Sequence, residues 1–282
     1  MSRGGQAEGM AHLRGVIAKI EARFGPAPAR GSARVGQKLS LTRALDRVLG
    51  GGLADDALHE IAPATAGDGA AAAGFALALM ARFMAARGGA GLVLAEDFAL
   101  REMGALYGPG LIAHGLELGR LVFVSAPAAP ALLQAMEEGA RSGALSVVLG
   151  EAWNLRGYDL AASRRLLLAA RAGATPTLLI QASAYGAAER MSSAAETRFE
   201  IAAAPSLALA SAGAGRPLPG APAFAARLIK ARLAATQGAQ SLDCERIFRL
   251  TWRSEEQRFD DPTVPLPLAA ASGDGSRAQA AR

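Results

Sequence analysis

The run APATAGDG (62–69) follows a short apolar segment and precedes a long alanine-rich one. Strand, loop and helix N-terminus in that order form a phosphate cradle when free backbone N–H groups and the helix dipole face an anion. The nucleotide-binding version of such a loop is G-x-x-x-x-G-K-[ST]. Laid on this sequence, Ala62 takes the first glycine and Gly67 matches the second. Asp68 then stands at the lysine and Gly69 at the Ser/Thr. The lysine supplies positive charge to the β- and γ-phosphates, and the hydroxyl ligates Mg²⁺. A carboxylate there repels phosphate and can cap the following helix. Each lost contact to a charged group is worth roughly 1.5–3 kcal/mol, so MgATP binding is expected to be absent at millimolar nucleotide. An ordinary strand–loop–helix with no nucleotide ancestry is the alternative for this loop taken alone.

Other reactive side chains lack partners at useful spacing. Glu96 and Asp97 end an apolar run and read as a solvated strand end or helix cap. Glu137 and Glu138 are adjacent, so on a helix they point about 100° apart and make no acid/base pair. His12, His59 and His114 are far apart and lack ligand spacing, and His59 beside Glu60 reads as structural. Ser125 and Ser163 have no G-x-S-x-G context. Cys244 is the single cysteine, which excludes a disulfide framework and a cysteine zinc site. No nucleophile, metal site or cofactor motif is found, and the chain is expected not to be an enzyme.

Alternating short apolar runs and helical segments must position these residues. Strands are expected at 57–62, 90–95, 119–126, 144–152 and 175–183, and helices at 70–87, 98–108, 129–143 and 159–173. Strands spaced by helices give right-handed crossovers and a parallel sheet covered on both faces. After 190 the alternation stops. A strand is expected at 197–206, then antiparallel strands at 224–233 and 244–253, with Phe224, Leu228, Ile247, Phe248, Leu250 and Trp252 as packing residues.

Before this core, residues 10–24 place Leu13, Val16, Ile17, Ile20 and Phe24 on one helical face, and GPAPARGSAR (25–34) reads as a linker. That helix either packs back on the core or docks a partner. The expected organisation is a helix and linker over 1–34, an α/β core over 35–206, a small β-hairpin extension over 207–261 and a disordered tail over 262–282.

The chain has 282 residues, 51% hydrophobic and 20% charged, which excludes wholesale disorder. No membrane-span-quality run and no secretory h-region are seen, which points to a soluble cytoplasmic protein with no membrane partner. The formal charge is +5, with the basic excess at the two ends and a mildly acidic middle. Lys19, Lys38 and Lys230 are the only lysines, an arginine skew that suits a GC-rich genome. The charge permits nucleic-acid contact without showing it.

The order of segments over roughly 40–205 resembles the RecA-type ATPase core. LDRVLGGGL resembles the helix turn and glycine hairpin before a RecA P-loop, and GLVLAEDFAL the next strand with its acidic end. ARSGALSVVLGEA resembles the helix end and Walker B strand, with Gly150 at the usual terminal Asp, followed by Glu151. Glycine cannot hold a metal through water, so both halves of the nucleotide site are degenerate. Within RecA-like proteins the chain is similar to the ImuA family of DNA-damage-inducible mutagenesis proteins. LGGGLADDALHEIAPA, ALYGPGLIAHGLELGRLVFV, AMEEGARSGALSVVLGEAWNL, DLAASRRLLLAARAG and SSAAETRFEIAAAPS carry that resemblance.

It implies a RecA-like three-layer core and a non-enzymatic adaptor in SOS mutagenesis by translesion synthesis. The implied partners are ImuB, an inactive Y-family polymerase relative, and an error-prone C-family polymerase, with RecA a further candidate and weak DNA contact open. A SulA-like cell-division inhibitor and a RecA-like ATPase with an atypical nucleotide site are the alternatives. RecA proteins bind DNA through loops near the sheet's C-terminal edge, and the second such loop corresponds to 184–198, with Arg190 and Arg198 as its cations. Arg227, Lys230 and Arg232 on one terminal strand, with Arg246, Arg249, Trp252 and Arg253 on the next, are denser. Arg246 and Arg249 are expected to face opposite sides of that strand. Partner contact is therefore expected from this terminal region, and removing residues 223–282 should abolish partner capture while leaving the core folded.

Overall fold

The computed structural model describes residues 37–153, 157–206, 220–232 and 243–261, with Gly15 and Ala22. Apart from those two residues, the expected N-terminal helix and linker lie outside the described residues, as does the tail after 261.

From residue 37 the described chain forms a two-stranded antiparallel sheet of β1 (Lys38–Leu39) and β2 (Leu53–Ala54), joined by helix α1 (Arg43–Leu49). Thr42 caps α1 by accepting from the Leu45 N–H, and Gly50 ends it in the left-handed region. Gly52 passes close against the Leu39 backbone. A Cβ there would lie 2.3 Å from the Leu39 carbonyl oxygen, so the hairpin requires glycine.

The body is a nine-stranded sheet in the order β11-β10-β9-β8-β3-β7-β6-β4-β5. Its strands are β3 (Leu58–Pro63), β4 (Ala90–Glu96), β5 (Leu121–Ala126), β6 (Leu145–Ala152), β7 (Thr177–Gln181), β8 (Thr197–Ala203), β9 (Ala223–Ala231), β10 (Ile247–Arg253) and β11 (Arg258–Asp260). From β5 through β8 every neighbouring pair is parallel, as strands alternating with helices require. The fold is α/β, with a mostly parallel central sheet between helical layers.

Helix α2 (Gly69–Arg87) covers one face. Helices α5 (Ala129–Ser142) and α6 (Leu160–Gly173) cover the other, packing on Leu92, Val148 and Leu179. The stretch expected as one helix over 98–108 divides into α3 (Asp97–Met103) and, after Gly104, α4 (Gly108–Ala113). Segment 104–118 then crosses α2. The His114 ring bonds the Gly74 carbonyl at 2.9 Å and stacks on Trp252 at 5.6 Å, while Trp252 Nε1 donates to the His114 carbonyl at 3.1 Å. Enclosure from several sides explains why α2 is apolar around its whole circumference. Residues 66–87 are long and apolar enough to cross a membrane, but 61% of the most apolar window is buried inside the protein, the burial of a core helix.

The terminal strands, expected as a β-hairpin extension, join the central sheet. β9 pairs antiparallel with β8 and β10 with β9, so both continue the central sheet. Phe224, Leu228, Phe248, Leu250, Trp252 and Phe259 all enter the core around α2, where Phe75 meets Phe199, Phe224 and Phe259 at 5.4–5.8 Å. Ile247 does not join them and is exposed. Apolar α2 needs a wider lid than the parallel strands supply, and the strands after 222 provide it. Removing residues from 223 onward would uncover that core, so such a truncation cannot report on partner binding alone.

Candidate functional site

The loop after β3 is short. Ala62 is still inside β3, fully buried and paired with Glu200, so no loop begins where the first glycine of a phosphate cradle would stand. Residues 66–68 form a 3₁₀ turn, and α2 starts at Gly69. The Asp68 carboxylate folds back into this turn. One oxygen accepts from the Thr65 N–H at 3.1 Å and the Thr65 hydroxyl at 2.6 Å, and the other from the Ala203 N–H on β8 at 2.9 Å. Partial desolvation pushes its pKa up, but the Thr65 hydroxyl and the Ala203 and Thr65 amides outweigh that and hold it below the usual value of 3.8.

Backbone bonds occupy further amides of the loop. The Ala64 N–H donates to the Ile201 carbonyl and the Asp68 N–H to the Thr65 carbonyl. Met103, at the end of α3, packs over the start of α2, and a Cβ on Gly69 would lie 2.5 Å from its Cε. An aspartate therefore ties the loop to β8, with protein acceptors on the amides of Ala64, Thr65 and Asp68.

The β6 end is turned differently from the sequence alignment with a Walker B strand. Gly150 faces α5, where a Cβ would lie 2.1 Å from the Met136 Sδ. It is glycine because a helix side chain fills its space. Glu151 pairs with Ile180, whose side chain lies in the core around α2, so Glu151 is the acid on the loop's side of the sheet. Burial raises its pKa above 4.5. Successive residues of a strand face opposite ways, so one position decides which residue could serve this site.

Glu96 is not solvated as expected. It is buried, and it accepts from the Trp153 N–H at 2.9 Å, where the Phe98 and Trp153 rings meet at 5.6 Å. His59 is fully buried, with Nε2 donating to the Ala54 carbonyl at 2.8 Å and Nδ1 accepting from the Thr197 hydroxyl at 2.8 Å. Burial lowers its pKa from 6.5 to about 4, against a smaller rise from the Ala54 bond. Its role is structural. Ser163 is bound into the backbone, donating to the Asp159 carbonyl and accepting from the Ala194 N–H. Glu137 pairs with Arg141 at 2.7 Å and Arg165 at 3.5 Å on the surface. Among the described residues no three His, Cys, Asp or Glu side chains are grouped to hold a metal.

The cations expected to bind DNA or a partner are largely occupied. Arg198 is buried against Glu60 at 2.6 Å and also donates to Ser193 Oγ and the Met191 carbonyl. Tyr158 donates to the same Glu60. Lys230 and Arg232 bond the Ser193 and Ala194 carbonyls. Segment 191–198 is thereby fastened into the body, and Arg190 is the exposed cation left on the expected DNA loop.

Arg227 pairs with Glu200 at 3.0 Å and with Glu189. Trp252, expected both as a packing residue and at a partner surface, takes the first role: it is fully buried in the core, because β10 turns Phe248, Leu250 and Trp252 inward together. Arg246 precedes β10, so strand alternation does not apply to it. It stacks on the Phe248 ring at 4.8 Å, while Arg249 and Arg253 share the outward face and Arg253 pairs with Asp260.

Sequence reasoning missed the buried Glu60–Arg198 pair. Its signal was Glu60 inside LHEIA and Arg198, with Glu200, inside TRFEI, charges within two otherwise apolar strands, since buried charges need partners. It also missed an edge of the sheet that no strand covers among the described residues. β5 is the last strand on its side, has no charged residue, and exposes Phe123 at 50%. Tyr107, Ile112 and Leu118 in the preceding segment are exposed as well. The opposite edge, β11, is three residues long and carries the Arg258–Asp260 ion pair. No protein-family profile matches this sequence, and no curated protein matches it.

Proposed function

We propose that this chain is a non-enzymatic scaffold with a RecA-like core, serving damage-induced translesion synthesis. In that role it holds an ImuB-type inactive polymerase relative and, through it, an error-prone C-family polymerase. The observation that carries the non-enzymatic part is Asp68, whose carboxylate is bonded to Thr65 and Ala203 where a nucleotide would need a cation. The translesion assignment rests on the ordered sequence segments that resemble ImuA proteins.

The edge of β5 supports a partner-binding role. Proteins ordinarily blunt sheet edges with charge, shortness or bulges. Among the described residues the β11 edge is blunted in this way and the β5 edge is not, which fits an edge kept open for an added strand. Partner contact is thereby moved from the terminal arginines to the opposite side of the sheet.

The test is co-purification of the full chain with the ImuB-type protein, comparing wild type with Phe123→Lys/Ser125→Lys. Both positions are exposed, so added charge should leave the fold intact and remove capture. Undiminished capture by the folded variant refutes the edge assignment. Saturable MgATP binding with turnover by the wild-type chain refutes the non-enzymatic reading.

A further inference from the structure

Helix α6 buries Ala162, Leu166, Leu167, Ala169 and Ala170 against the sheet and presents a second organised face to solvent. At 100° per residue, Ala161, Leu168 and Ala172 fall on one narrow strip of that face. All three are exposed, Leu168 at 52%. Arg164 and Arg171 flank the strip on one side. Arg165 flanks it on the other, next to Arg141 of α5. The exposed arc contains no acidic residue. Glu137 and Glu196, which approach these arginines, lie below the rim and are largely covered.

We propose that this face of α6 docks an acidic amphipathic α-helix of a protein partner. The small side chains of Ala161 and Ala172 allow a second helix to approach closely, and Leu168 between them is a knob for its groove. From Ala161 to Ala172 the strip runs about 16 Å, three turns of a docked helix. The flanking guanidinium groups match carboxylates at the edges of an apolar stripe, and such charges select and orient a partner. A nucleic-acid backbone fits this face less well. The centre of the strip offers a leucine and two alanines where phosphates would lie. The proposal does not depend on which complex the chain serves, nor on the β5 edge.

The probe is a fluorescein-labelled helical peptide of about 18 residues, with leucines at i, i+3, i+4 and i+7 and glutamates flanking them. Its companions are a scrambled peptide, a version with lysine for every glutamate, and a labelled single-stranded oligonucleotide. Fluorescence anisotropy is measured on the full wild-type chain, on Arg164→Glu and on Leu168→Glu, with thermal unfolding confirming that each is folded. The expected result is binding of the glutamate helix, weakened about tenfold or more by either substitution, a loss of about 1.4 kcal/mol. Arg164→Glu should also improve binding of the lysine version. Equal binding of the scrambled peptide, or binding indifferent to both substitutions, overturns the proposal. Tighter binding of the oligonucleotide, lost in Arg164→Glu, also overturns it and marks the face as a nucleic-acid surface.

Discussion

His59 gives the sharpest test of how the core beside the candidate site is built. The imidazole is fully buried between the Ala54 carbonyl and the Thr197 hydroxyl, each at 2.8 Å, and among the described residues no carboxylate pairs with it. Its pKa falls from 6.5 to about 4, chiefly through desolvation. The unfolded chain therefore takes up the proton first as pH drops. Stability from this residue is complete above about pH 6.5, declines as pH falls toward 4, and levels off below that. At about 1.36 kcal/mol per pH unit the whole loss is about 3 kcal/mol, a large share of an ordinary folding free energy.

The assay is urea unfolding at a series of pH values for wild type and His59→Gln. The glutamine amide can still donate to the Ala54 carbonyl but does not titrate. Other groups contribute to both curves and cancel in the difference. The wild-type curve should drop by about 3 kcal/mol more than that of the variant between pH 7 and pH 4. Parallel curves would refute the assignment of a neutral, desolvated imidazole.

Three further outcomes follow from the same packing. Arg198→Met should cost about 3–5 kcal/mol in chemical denaturation, because Glu60 is left buried without its ion pair, and adding Glu60→Gln should recover part of that loss. Gly150→Ala should lower stability by about 1–3 kcal/mol, since a Cβ there overlaps Met136, and Met136→Ala in the same chain should relieve the overlap. Asp68→Lys/Gly69→Thr restores the nucleotide-loop residue types, yet calorimetry should still show no MgATP binding. In that variant the Ala64 N–H still faces Ile201, and Met103 still packs where the side chain introduced at position 69 would begin.

The alternation of apolar runs and helical segments by itself determined the strand–helix series from β3 to β8, because a parallel sheet covered on both faces leaves that pattern in the chain. Residue identity alone shows that Asp68 and Gly69 stand where a nucleotide-binding loop would carry a lysine and a hydroxyl. What Asp68 does instead depends on Ala203, a residue brought beside it only when β8 pairs with β3. The side of the sheet on which Gly150 and Glu151 fall was likewise settled by pairing register, since a shift of one residue reverses every side chain.

The terminal strands carried a readable alternation, but nothing local says that β9 will extend the central sheet. That outcome comes from the open flank of β8 and from an α2 helix apolar on all sides. For the same reason Arg227, Lys230 and Arg232, which looked like a surface in the sequence, became ion-paired or hydrogen-bonded in the fold, and Trp252 took its packing role and not a surface one. Charge and hydropathy belong to single residues and can be read in order. Exposure belongs to the tertiary structure, because it depends on which distant segment arrives to cover each one.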